Sequence, residues 1–105
     1  MRTHQLIDER SLALGRAVVG KIDADPYCRG VERARQVCSH WMRLHDNAYI
    51  RKWRSILART WPEIRTVLLD PSEEGQALRQ CSPFCGVLTP GERWEIYRRY
   101  RDRQE

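Results

Sequence analysis

Apolar residues recur at every third or fourth position along almost the whole chain, and no stretch alternates long enough to make a strand, so the pattern predicts an all-α protein. From about Gln5 to about Ile22, Ile7, Leu14, Val18 and Ile22 form one stripe with Ala17 beside it. Gly15 and Gly20 weaken that helix by propensity, so at least one is expected at a close helix crossing. Asp25-Pro26 reads as an N-cap with a proline at the first helical position, predicting a helix from about Pro26 to Leu44. Its inward residues would be Tyr27, Val31, Ala34, Cys38 and Trp41. Asp46 is the expected cap of a third helix, apolar through Tyr49, Ile50, Trp53, Ile56 and Leu57 and polar through Arg51, Lys52, Ser55 and Arg59.

Thr60-Trp-Pro-Glu63 and Asp70-Pro-Ser-Glu73 have capping-box spacing and predict two short helices, around 62–69 and 71–80. Thr89-Pro-Gly-Glu92 repeats the signal and opens a last helix from Pro90 to about Arg101. The expected fold is a compact single-domain bundle of residues 1–105, with about four main helices plus two short ones. Trp41, Trp53, Trp61 and Trp94 fall on separate segments; Trp61, just before Pro62, is the one expected to be exposed as an anchor.

A mean hydropathy of -0.71 and apolar runs no longer than Val67-Leu-Leu69 exclude a membrane-spanning chain. Acids within the first ten residues do not suit a signal peptide, and the expected location is cytoplasmic. In reducing cytosol Cys28, Cys38, Cys81 and Cys85 read first as small apolar residues. The net charge of +5 favours anionic partners. That charge is uneven: residues 27–59 hold eight basic side chains against two acids, whereas residues 60–92 hold two against five.

Cysteine spacing raises a metal alternative, because zinc wants four thiolate or imidazole ligands. Cys81 and Cys85 could supply one pair, but Cys38 and His40 point about 200° apart on a helix and do not chelate a common ion. A redox pair fits less well, since Ser-Pro-Phe separates the thiols and no strand precedes them. A packed corner accounts for the stretch instead, with Pro83 turning the chain, Phe84 entering the core and Gly86 expected at positive φ. No cofactor is expected. Glycine-rich phosphate loops, nucleophile elbows and HExxH motifs are absent from the sequence, and its acidic pairs suit helix first turns.

Arg35-Gln-Val-Cys-Ser-His40 resembles the motif of HEPN-type ribonucleases, which implies an alternative activity. In it, His40 would move the 2′-hydroxyl proton while Arg35 steadies charge on phosphorus. Nucleic-acid binding draws on the basic middle of the chain, where Arg51, Lys52, Arg54, Ser55 and Arg59 could contact phosphates or bases as in a helix-turn-helix reader. Arg98, Arg99, Arg101 and Arg103 could extend that strip or meet acids on a protein.

Two stretches, Asp8-Glu-Arg-Ser-Leu-Ala-Leu14 and Leu78-Arg-Gln-Cys-Ser-Pro-Phe-Cys-Gly-Val-Leu-Thr-Pro-Gly-Glu-Arg-Trp94, resemble small uncharacterised helical proteins of bacteria associated with toxin–antitoxin or defence-type operons. That resemblance implies a protein that works by binding a partner, such as the product of a neighbouring gene, and carries over no catalytic residues. It also implies that the thiols are dispensable and the Ser-Pro-Phe corner is not. The expected function is therefore a non-catalytic interaction or regulatory protein of antitoxin type. It would bind a partner protein or nucleic acid through the basic helical face. A phage or mobile-element inhibitor or adaptor is the other alternative.

Overall fold

The computed structural model describes residues 2–102, with side chains described for residues 6–101. Six helices run in order: α1 (Arg2–Asp23), α2 (Arg29–Leu44), α3 (Ala48–Leu57), α4 (Trp61–Leu68), α5 (Glu73–Gln80) and α6 (Pro90–Asp102). No strand occurs among the described residues. Helix α1 is the hub and packs against α2, α4, α5 and α6, while α3 lies along α2 and touches α4.

The core forms where the apolar stripes meet. Val18, Val19 and Ile22 of α1 pack with Val31, Ala34 and Cys38 of α2 and with Ile50, Trp53, Ile56 and Leu57 of α3. Burying an aliphatic or aromatic side chain of this size contributes roughly 1.5–3 kcal/mol before entropy is counted. Trp53, 1% exposed, also satisfies its polar atom: its indole Nε1 donates to the Leu78 carbonyl at 2.9 Å. That bond ties α3 to the last turn of α5, where a helix has carbonyls left over. Phe84 meets Trp53 edge to face, with ring centroids 5.8 Å apart, and Pro83 is buried beside it. The Ser-Pro-Phe corner thus enters the core as expected.

Gly15 marks the close crossing. A Cβ there would stand 2.5 Å from the Leu68 carbonyl oxygen, whereas one at Gly20 would meet nothing within 4 Å. Gly86 departs from expectation, since no glycine takes positive φ among the described residues. Its lack of a side chain serves contact instead, because a Cβ would lie 2.7 Å from Nε of Arg33.

Several helix starts differ from the expected ones. Asp25 does not cap a helix at Pro26; its carboxylate accepts from the Tyr27 amide (3.1 Å) and the Arg29 amide (3.0 Å), folding 25–28 into a turn. Cys28 closes that turn at φ 47°, the left-handed region, and α2 begins only at Arg29. Tyr27 is consequently 80% exposed rather than inward. Asn47, not Asp46, caps α3, its side chain accepting from the Tyr49 and Ile50 amides. Both residue types suit the position, and Asp46 pairs with Arg51 instead. Ser72, not Asp70, caps α5, with Asp70 accepting from the Ser72 hydroxyl at 2.8 Å. Thr60 caps α4 without a side-chain bond. The box before α6 is complete: Thr89 N donates to Glu92 Oε1 at 2.8 Å and Glu92 N donates to Thr89 Oγ1 at 3.1 Å.

Candidate functional site

Helices α2 and α3 carry the basic face, except that α3 ends at Leu57 and so leaves Arg59, expected on its polar side, in the bend that follows. Of its eight cations, four are engaged by carboxylates: Arg29 with Asp25, Arg35 with Glu32, Arg51 with Asp46 and Lys52 with Glu74. Arg33, Arg43, Arg54 and Arg59 are exposed and form no ion pair among the described residues. Arg54 lies near enough to Cys38 for its charge to act on the thiol, which places it on the α2–α3 seam. Ser55 is exposed beside it in sequence. Lys52 is held twice, by Glu74 at 2.7 Å and over the Tyr49 ring at 5.1 Å; the salt bridge to Glu74 raises its pKa.

Arg35 and His40 both sit on α2, five residues and so about 140° apart around it. Arg35 spends Nε on the Leu57 carbonyl at 2.9 Å, one of the unpaired carbonyls at the end of α3. His40 is exposed.

The four thiols are separate and free. Burial pushes Cys38 and Cys81 up in pKa; Cys38 donates to the Ile50 carbonyl at 3.6 Å and Cys81 to the Ala77 carbonyl at 3.3 Å. Cys85 is exposed. Among the described residues no three His, Cys, Asp or Glu side chains gather as a metal site would require.

The C-terminal arginines belong to a different side of the molecule. Helix α6 makes its substantial packing with α1 and none of that extent with α2 or α3. Arg98 is bonded to both oxygens of Glu95, Arg101 lies over the Trp94 ring at 5.3 Å, and Arg99 is exposed. Arg103 lies outside the described residues. Trp94, 55% exposed, takes the place expected for Trp61. Trp61 is pinned, its Nε1 donating to Asp23 Oδ1 at 2.8 Å while Arg65 holds Oδ2 at 3.1 Å. Those two bonds lower the Asp23 pKa, the indole bond most.

A groove that the spacing of residues did not suggest opens between α1, α5, the 81–89 corner and α6. It encloses about 380 Å³, and among the described residues its lining carries Arg10, Arg79 and Arg93 but no acid. Its apolar lining runs from the half-buried Ile7 and Leu14 down to the buried Val18, Leu68, Phe84 and Leu88. The three arginines are remote in sequence, so no local motif announces them.

Comparison finds no matching family model, no matching curated protein and no matching solved structure. The lowered carboxylates are all occupied structurally: Asp25 and Asp70 in turns, Asp23 by Trp61 and Arg65, Glu92 by Lys21 and the α6 cap.

Proposed function

We propose that the protein is a non-catalytic interaction protein of antitoxin or regulatory type, which docks an anionic macromolecular partner on the α2–α3 face. The observation that carries this reading is the set of four guanidinium groups left without carboxylates, Arg33, Arg43 and Arg54 on two packed helices and Arg59 just beyond the end of α3. Nearby acids are already committed to other cations, as Glu32 is to Arg35, Asp46 to Arg51 and Glu74 to Lys52. An exposed guanidinium gains most from a phosphate or carboxylate brought by a partner, because its planar fork meets either with two parallel bonds.

The test is a salt series with labelled duplex DNA, single-stranded RNA and an acidic peptide. Binding to one of these should weaken steeply, by orders of magnitude between about 50 and 200 mM salt where several phosphates are contacted. No binding to any of the three at low salt would overturn the reading.

A further inference from the structure

The groove between α1, α5 and α6 has a polarity that its structural duties do not explain. Seven ion pairs are formed among the described residues, and none uses Arg10, Arg79 or Arg93. Arg79 donates to the Ser11 hydroxyl (2.8 Å), the Leu68 carbonyl (3.4 Å), the Asp70 carbonyl and the Gln76 amide oxygen (3.2 Å). All four partners are uncharged. These bonds leave one N–H on Nη2, and Asp70 and Asp8 act on the group only through space. Arg93 gives one Nη2 hydrogen to the Cys85 carbonyl and keeps the rest of its fork. Arg10 stacks on the Tyr97 ring at 4.8 Å, an arrangement that fixes the guanidinium plane without consuming its donors.

We propose that this groove binds a small anionic amphiphile, its carboxylate met by Arg10, Arg93 and the spare N–H of Arg79, and its hydrocarbon body laid on the half-buried Ile7 and Leu14. An inorganic anion would leave that apolar wall wet, and a neutral apolar molecule would bury guanidinium groups without a partner, which is costly. The size also argues for a small molecule, since about 380 Å³ falls at the lower end of the range of small-molecule clefts, roughly 300–1,000 Å³. This site is independent of the α2–α3 face and of whatever docks there.

Decanoate, kept below its micelle threshold, is the probe, with decanol and decyltrimethylammonium as the neutral and cationic counterparts. Calorimetry on the full chain should show saturable one-to-one binding of decanoate and about tenfold weaker binding of decanol, the loss expected when charge-assisted hydrogen bonds go unmade. Cys85, the exposed thiol on the groove wall, supplies a second readout: decanoate should slow its alkylation by maleimide, followed by mass spectrometry, and decyltrimethylammonium should not. The double variant Arg10→Gln/Arg93→Gln should bind decanoate about tenfold more weakly while keeping the native helical circular dichroism. Arg79 is left intact because its bonds hold α1, α4 and α5 together. Should the double variant unfold, the wild-type ranking of the three amphiphiles decides alone. Equal binding of decanol or of the cationic amphiphile, an unprotected Cys85, or displacement of decanoate by an apolar C-terminal peptide at lower concentration would overturn the proposal.

Discussion

Gly15 of α1 sits so close to the end of α4 that a Cβ on it would stand 2.5 Å from the Leu68 carbonyl oxygen. The obstacle is backbone, which cannot swing aside as a side-chain tip can. Arg79 donates to the same oxygen, so one carbonyl fixes the spacing of α1, α4 and α5. Gly15→Ala should therefore destabilise the fold by roughly 1–3 kcal/mol through overpacking, despite its better helix propensity. Gly20→Ala meets nothing and should stabilise by up to about 1 kcal/mol. Urea denaturation of the two variants checks the pair, and equal effects would show that the crossing is not tight.

Trp53 anchors the other side of the core through its bond to Leu78 and its edge contact with Phe84. Trp53→Phe keeps an aromatic ring but removes the donor, and should cost about 1–3 kcal/mol. Phe84→Ala should cost about 3–5 kcal/mol, whereas Cys85→Ala should change stability by less than about 0.5 kcal/mol. A Cys85 variant as damaging as Phe84→Ala would reverse the assignment of the corner's structural weight.

Arg35 and His40 separate a structural role from a catalytic one. Arg35 caps the end of α3 through the Leu57 carbonyl, so Arg35→Ala should lose about 1 kcal/mol of stability and His40→Ala essentially none. Incubation of both variants with RNA completes the comparison. Cleavage by the native chain that vanishes in His40→Ala would make the ribonuclease reading the better one.

Glu92 ties α6 to α1 through Lys21 and closes the α6 capping box, and the Lys21 bond is the main reason its carboxyl falls from 4.5 to about 2. A carboxylate with a depressed folded-state pKa contributes stability that is fully present above the unfolded value and is lost as pH falls from 4.5 toward 2. Asp23, Asp25 and Asp70 are lowered too and should act in the same direction. Glu92→Gln can still accept the Thr89 amide bond but does not titrate, so its stability should fall less steeply through that window. Denaturant midpoints measured at several pH values test this, and an unchanged slope would mean the Lys21–Glu92 pair does not persist in solution.

The helices were legible because apolar residues repeat at helical spacing, and the Thr89–Glu92 cap because both partners lie within one turn. The start of α2 was not. Asp25-Pro26 has the composition of a cap, but the carboxylate folds a turn and hands the chain to a left-handed Cys28, for which a cysteine gives no signal. Exposure of Trp94 could have been read, since it lies about 200° around α6 from the buried Ile96. Pinning of Trp61 could not, because Asp23 is 38 residues away. The groove was hidden for the same reason: α1, α5 and α6 each contribute one arginine, and only the packing brings them together.

In the proposed function, the unpaired arginines of α2 and α3, together with Arg59 just beyond α3, receive an anionic partner. The most direct test compares the salt dependence of binding for the native chain and for Arg54→Gln/Arg59→Gln, using whichever polyanion binds at low salt. If both arginines neutralise phosphates, the slope of log K against log salt should become shallower by about 2, with melting temperature unchanged. A double variant that binds with native affinity and native slope would contradict the account.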